Sequence, residues 1–101
     1  MKVEFTQLNS ANVTADNSVD NERRYDITAN VNINGNKVDN ISGGRVIKEE
    51  VEVASFSKWG ESNTNFSFNG VDAMEMCAII TDVTTFCTNV AEKVTNEPIE
   101  L

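Results

Sequence analysis

The sequence predicts an α+β domain: an antiparallel sheet of about four to five strands, arranged as hairpins, followed by one long C-terminal helix packed across one face. Within residues 2–69, short segments alternate apolar and polar residues between turn-forming residues, which is typical of strands with one solvated face. Residues 73–95 instead carry apolar residues at helical spacing. A chain of 101 residues with 40% hydrophobic residues is near the common size of one domain, so we expect a single domain over residues 1–101.

The first strand is predicted within residues 2–8, KVEFTQL, because Val3 and Phe5 fall on one face between polar neighbours. Residues 9–22 are polar and rich in turn-forming residues, so we expect a long polar loop, or a ragged edge strand followed by a turn. A structureless connection of that length is uncommon in a compact domain, which makes it a place where function could lie.

The clearest strand covers residues 24–33, RYDITANVNI, where the alternation is strict. The dipeptide Asn34–Gly35 follows and predicts a two-residue hairpin turn that would set Ile33 opposite Asn36. The returning strand meets Gly43–Gly44, which we expect to break it or bend it sharply.

Residues 45–59 read as one long strand in which the apolar residues change face, so a bulge is predicted near residues 48–50 or near Ala54. A turn at residues 59–62 and a returning strand complete a second hairpin. That strand places two aromatic residues on one face, Phe66 and Phe68.

The helix is predicted to begin after Asp72, whose side chain would cap it, with Glu75 at the third helical position. Its apolar residues form one continuous stripe: Met76, Ile79, Ile80, Val83, Phe86, Cys87, Val90 and Val94. Pro98 disfavours helix at the residue before it, which leaves a short tail at residues 96–101.

Composition excludes several functions. Sixteen acidic against eight basic residues give a net charge of −8, which opposes binding to nucleic acid through phosphate contacts. The chain has no His, which removes Ser-His-Asp and Cys-His catalysis and every Cys/His zinc site. The two cysteines are too few for a zinc site of their own, and no glycine-rich phosphate-binding motif is present. We therefore expect no metal and no cofactor.

Carboxylates and thiols are the remaining groups that could carry chemistry. Glu50 and Glu52 would lie about 7 Å apart on one strand face, a spacing compatible with acid and base roles in sugar hydrolysis but shared by any E-x-E strand. The segment 16–27, DNSVDNERRYDI, has oxygen-bearing side chains where a calcium loop has them. It lacks the glycine and the final glutamate of such a loop. A solvated strand face and a polar loop are the favoured interpretations.

The two cysteines, Cys77 and Cys87, lie ten residues apart within the predicted helix. One continuous helix would separate them by about 15 Å along its axis, too far for a disulfide. Cys87 falls within the apolar stripe and is interpreted as a small core residue. Cys77 lies on the shoulder of the stripe.

A partner protein is the favoured ligand. Trp59 is the only Trp and either caps the core or anchors a partner, since Trp is enriched at the energetic centres of interfaces. Any nearby Phe that points away from the helix would add an exposed apolar patch. The candidate partner-binding residues are Phe56, Trp59, Glu49, Glu50 and Glu52.

The sequence therefore favours a small acidic, non-catalytic protein-interaction domain. Such chains are frequent among phage and mobile-element accessory proteins, and one form would be an inhibitor that presents its acidic residues to a basic groove. Two alternatives stay open: a self-assembling structural subunit whose partner is its own copy, and a small enzyme that uses carboxylates or a thiol. The expected location is the cytoplasm, with no membrane contact, because the N-terminal residues contain no apolar run.

Overall fold

A computed structural model describes residues 1–9, 12–60 and 62–96, except for the side chains of residues 7–9. Six strands form one antiparallel sheet in sequence order, and one helix follows them. The elements are β1 (Glu4–Asn9), β2 (Asn12–Asp16), β3 (Asp26–Asn34), β4 (Lys37–Lys48), β5 (Val51–Trp59), β6 (Asn63–Phe68) and α1 (Ala73–Asn96). The α+β prediction is confirmed, with six strands in place of the expected four to five. Asn96, predicted as the start of the tail, is the last residue of the helix, and Pro98 with the other residues of 97–101 lies outside the described residues.

Strand β2 lies within residues 9–22, where a long polar loop or a ragged edge strand followed by a turn was predicted. The loop is wrong for residues 12–16, which form a strand followed by turns, although β2 is not at an edge of the sheet. The strand pairs with β1 on one side and β3 on the other, and Val13 lies directly opposite Val31. Val13 and Ala15 are buried, so two small apolar residues supply the inner face of this strand. The apolar signal was weak because Val13 is the one large apolar residue of the strand and Ala is not favoured in strands.

The connection from β2 to β3 is organised by Asn17, which is only 1% exposed. Its side-chain Oδ1 accepts a hydrogen bond from the Ile27 amide at 2.9 Å, and its Nδ2 donates to the Tyr25 carbonyl at 2.9 Å. Its own amide donates to the Ile27 carbonyl at 3.2 Å. The buried amide therefore supplies partners for the backbone where the chain enters β3.

The β3–β4 hairpin turns at Gly35 and Asn36, one residue later than predicted. Asn34 pairs with Lys37 and Ile33 with Val38, so the expected pairing of Ile33 with Asn36 is wrong. Gly35 has a φ of +67° and occupies the first central position of the turn, whereas the prediction gave it the second.

The glycine pair in β4 does not break the strand. Gly43 has a φ of +59° and lies at a bulge, beyond which the pairing with β3 continues from Arg45. At Gly44 an added Cβ would come within 2.6 Å of ring carbons of Phe56, so the absent side chain makes room for that ring.

Residues 45–59 form the end of one strand and the whole of the next, so the prediction of a single long strand is wrong. Glu49 and Glu50 make a two-residue turn with φ values of 51° and 69°. Two positive φ values match a type I′ turn, which normally contains Asn-Gly, so two glutamates carry no sequence signal for this turn. A register shift also occurs where Val46 pairs with Ala54 and Ile47 with Glu52, which confirms the bulge near Ala54.

Helix α1 crosses the centre of the sheet, where its closest approach is to β4 and β3. Phe86 of the helix meets Phe56 of β5 edge to face, with ring centroids 6.2 Å apart. The buried helix residues are Ile79, Val83, Phe86, Cys87, Val90 and Val94, which confirms most of the predicted stripe. Ile80 departs from it and is 40% exposed.

The helix begins as predicted. Asp72 Oδ1 accepts a hydrogen bond from the Glu75 amide at 2.9 Å, which caps the first turn. The Glu75 carboxylate does not return to the cap and instead accepts from Lys48 Nζ at 3.2 Å, which ties the helix start to the end of β4. Farther along, Asp82 accepts two hydrogen bonds from the Arg24 guanidinium.

We predict that Asn17→Ala lowers the free energy of unfolding by about 2 to 4 kcal/mol, because it leaves a buried amide and a buried carbonyl without partners. Urea unfolding followed by circular dichroism measures this loss. The matched control is Asn30→Ala on the exposed face of β3, which should change stability by less than about 0.5 kcal/mol. Equal effects of the two substitutions would contradict the role assigned to Asn17.

The β4–β5 turn gives a second prediction. Replacing Glu49–Glu50 with Asn-Gly should raise the free energy of unfolding by about 1 kcal/mol, because these residues adopt positive φ at lower cost. The control is Glu49→Gln with Glu50→Gln, which removes both charges and keeps the backbone penalty. If the glutamine variant is stabilised equally, charge repulsion and not backbone conformation explains the gain.

Candidate interaction site

The sheet face opposite the helix is polar. We call it the open face, and it consists of the outward residues of β2 to β6, which alternate with the buried ones. Serine, threonine and asparagine dominate it: Thr14, Thr28, Asn30, Asn32, Ser55, Ser57, Asn65 and Ser67. Phe56, Phe66 and Phe68 all lie on the helix side, so an apolar patch of Phe residues on the open face is absent among the described residues.

The aromatic candidates predicted from the sequence have different environments. The ring of Phe56 is 4% exposed, packs between Phe66 and Phe86, and is not available to a partner while the helix is in place. Trp59 is 51% exposed on the open face, at the last position of β5, where it pairs with Asn63 of β6. Trp59 is therefore the aromatic candidate that a partner can reach.

The acidic candidates lie at the other end of β5. Glu49 and Glu50 form the exposed turn that precedes the strand, about 30 Å from Trp59 at the rise of a strand. Glu52 accepts a hydrogen bond from Arg45 Nε at 2.7 Å. The five predicted residues thus do not form one site.

The candidate catalytic and metal-binding groups are also dispersed. Glu50 lies in the turn and not on the strand, so it does not share a regular strand face with Glu52. In segment 16–27, Asp16 accepts from the Ser18 amide and Asp20 from the Glu22 amide, so these carboxylates cap polar turns. The hydrogen bond from Glu22 lowers the pKa of Asp20. No cluster of three potential metal ligands occurs in the part of the chain described.

The two cysteines have opposite environments. Cys77 is exposed, and Cys87 is buried with 6% of its surface exposed. Burial disfavours the thiolate and raises the pKa of Cys87 to about 11, so this thiol remains protonated near neutral pH. Cys87 therefore behaves as a core residue.

Strand β6 forms one edge of the sheet and pairs only with β5. The Asn69 amide donates a hydrogen bond to the Val53 carbonyl just beyond the end of β6. Because hydrogen-bonded pairs alternate along an antiparallel ladder, the N–H and C=O groups of the odd-numbered β6 residues also point toward β5. The backbone groups of Thr64, Phe66 and Phe68 consequently point outward. We call this row the β6 edge, and within the described residues no hydrogen bond to it is found.

The β6 edge lacks the usual protection against strand pairing. Among the six strands, β6 is the one whose sequence, NTNFSF, contains no charged residue. It also contains no proline, and its pairing with β5 shows no bulge. Charges, prolines and bulges are the devices by which natural proteins prevent edge strands from pairing with other chains.

The inner side of β6 is incompletely covered by the helix. Six strands span about 24 Å, whereas a helix with its side chains is about 10 to 12 Å wide. Phe66 and Phe68, the aromatic pair, stack on each other with centroids 5.7 Å apart and remain half-buried. A cavity of about 230 Å³ beside Thr64 is lined by Lys58 of β5 and by four helix residues: Val83, Thr84, Cys87 and Thr88. Apolar surface therefore remains available beside the β6 edge.

The opposite edge, β1, differs. Glu4 supplies a charge there, and the Lys93 ammonium lies 5.6 Å from the centroid of the Phe5 ring. The Asn89 side chain also donates to the Met1 carbonyl, which joins the helix to the segment before β1. The two edges are thus unequal, and β6 is the candidate interaction site.

Comparison of the chain with protein-family profiles, curated proteins and solved structures gave no match. Helix α1, the helix in the described part of the chain, is not apolar enough over its length to cross a membrane.

We predict that the free energy of unfolding falls as the pH rises from 9 toward 11. An unfolded Cys thiol loses its proton near its ordinary pKa of 9.0, whereas folded Cys87 keeps it up to about 11. The folded state therefore binds more protons in this range, and stability decreases with pH, by up to about 2 kcal/mol from this group. Urea unfolding at several pH values measures the slope.

The control for this prediction is Cys87→Ala, which should reduce the alkaline slope, while Cys77→Ala should leave it unchanged. A thiol reagent at neutral pH should modify Cys77 and spare Cys87 in the folded protein. An unaltered slope in the Cys87→Ala variant would show that other groups cause the alkaline destabilisation.

Proposed function

We propose that this protein is a non-catalytic protein-interaction module that binds its partner along the β6 edge by strand addition. In this mode an extended segment of the partner pairs with an exposed strand, and backbone hydrogen bonds supply the affinity. The single observation that carries the proposal is an uncharged, unbulged edge strand with outward backbone groups at Thr64, Phe66 and Phe68.

Neighbouring side chains support this site. The aromatic pair offers apolar surface on the helix side of β6, and Trp59 lies on the open face beside Asn63. Aromatic residues are enriched at the centres of interfaces, because they bury a large area at a low cost in conformational entropy. A partner strand on β6 would therefore meet aromatic surface on both sides of the sheet.

The positions of the reactive groups support the proposal that the module is not catalytic. Glu50 and Glu52 do not share a strand face, and Glu52 is paired with Arg45. The Cys87 thiol is buried and protonated near neutral pH. The carboxylate pair and the buried thiol are thus not arranged for the chemistry that the sequence suggested.

A charge placed on β6 tests the proposal. Ser67→Glu should reduce the amount of partner captured from the source cells by about tenfold, because it places a charge beside the pairing strand. The bait is the tagged full chain, and the captured protein is quantified by mass spectrometry. A second copy of this chain counts as a partner in this measurement.

The matched control is Asn30→Glu, which adds the same charge to the open face on the central strand β3. It should capture as much partner as the wild type. A difference in capture between the two variants would therefore arise from where the charge lies and not from the change in net charge. Circular dichroism confirms that both variants are folded. Capture that is equal for Ser67→Glu and Asn30→Glu, or no specific capture at all, would refute the proposed function.

A further inference from the structure

We infer that the partner of the β6 edge is a second copy of this chain, so that two β6 strands pair antiparallel across a two-fold axis and join the sheets. This inference rests on the proposed function, since it names the occupant of the same edge. Three observations support a second copy: the charge distribution, the register that the free backbone groups allow, and the position of the aromatic pair.

The charge distribution favours self-association at β6. Two copies that each carry a net charge of −8 repel one another, and the repulsion is smallest where the contacting surfaces are uncharged. β6 is the strand without a charged residue, whereas the β1 edge carries Glu4. Pairing of β6 with its own copy therefore sets no like charges from the two strands opposite each other.

The outward backbone groups define the register. If the two-fold axis passes beside Phe66, then Phe66 pairs with the same residue of the other copy, and Thr64 pairs with Phe68 on each side. This register uses the outward N–H and C=O groups of all three residues in hydrogen bonds. It places Asn65 of one copy directly opposite Ser67 of the other on the open face.

The same register fills the space that the helix leaves uncovered. The side chains of Thr64, Phe66 and Phe68 lie on the helix side, so both helices would lie on one face of the joined sheet. The aromatic pairs of the two copies would then meet between the helices and bury apolar surface that each isolated chain leaves half-exposed.

Sedimentation equilibrium tests the inference. The mass of the wild-type chain should rise from 11.1 kDa toward twice that value as its concentration increases from about 10 µM to about 1 mM, the range for a small interface. Thr64→Pro removes one outward N–H without altering the pairing to β5, and Ser67→Glu adds a charge. Both variants should remain at 11.1 kDa, while Asn30→Glu should associate like the wild type.

Salt gives an independent measurement. Raising the salt concentration from about 20 to about 300 mM screens the repulsion between two acidic chains, so self-association should tighten. Binding of the acidic surface to a basic partner would weaken over the same range. Association that weakens with salt would overturn the inference.

Disulfide formation tests the register. In a Cys77→Ser background, Asn65→Cys and Ser67→Cys chains are mixed under mild oxidation. In a mixed dimer the cysteine at position 65 lies opposite the cysteine at position 67, with Cα atoms about 4.5 Å apart, within the disulfide range. In a dimer of one variant the two introduced cysteines are diagonal neighbours with Cα atoms about 7 to 8 Å apart. The mixture should therefore crosslink about tenfold faster than either variant alone. Equal rates would overturn this register.

The outcomes separate this inference from the proposed function. A wild-type chain that stays at 11.1 kDa near 1 mM, yet captures a different protein that Ser67→Glu loses, overturns self-pairing and leaves the proposed function intact. A monomer with no partner that depends on β6 overturns both. Dimers that persist in folded Thr64→Pro and Ser67→Glu variants overturn the use of β6.

Discussion

The width of the sheet relative to the helix is the constraint on which the rest of the structure depends. One helix covers the centre, so the fully buried residues lie beneath it on β2 to β5. The flanking strands need other cover. On the β1 side, Lys93 lies over Phe5 and Asn89 binds the Met1 carbonyl. On the β6 side, Phe66 and Phe68 stack on each other, and both side chains remain half-buried.

The helix is held in its crossing position by the core and by polar contacts at its margins. Phe86 contacts Phe56 at the centre, and two ion pairs join the first half of the helix to Lys48 at the end of β4 and to Arg24 just before β3. These pairs are exposed, so each contributes little stability. The two pairs instead favour one angle between the helix and the strands, because Lys48 lies on β4 and Arg24 lies before β3. The orientation of the helix, and with it the uncovered side of β6, is thus specified at several points.

The sequence predicted the fold class and the helix because both depend on strong periodic patterns. The stripe from Ile79 to Val94 and the cap at Asp72 are local signals, and the structure contains both. The sequence left a loop and a strand as alternatives for β2, and the β4–β5 turn was missed, in both cases for physical reasons. Ala15 is a weak strand signal that becomes buried only through its neighbours, and Glu49–Glu50 adopt a conformation that usually needs Asn-Gly.

The candidate site was predicted only in part, since it depends on strand order. Residues 63–68 visibly lack charge in the sequence, but that property matters only for a strand at an edge. Trp59 was selected for its residue type and is exposed next to β6, whereas Phe56 was selected by the same reasoning and is buried. Side-chain chemistry alone could not separate these two residues, because the register of β5 decides which one faces the core.

The strand order has a consequence for folding speed. Every strand pairs with its immediate sequence neighbours, so each step of sheet formation closes only a short connection. The longest connection between paired strands, residues 17–25, is organised by Asn17 rather than left as a free loop. Local pairing of this kind lowers the contact order, and sheets with low contact order fold faster than those built from distant segments. The meander can therefore form by successive addition of hairpin strands, with the helix closing over a surface that is already assembled.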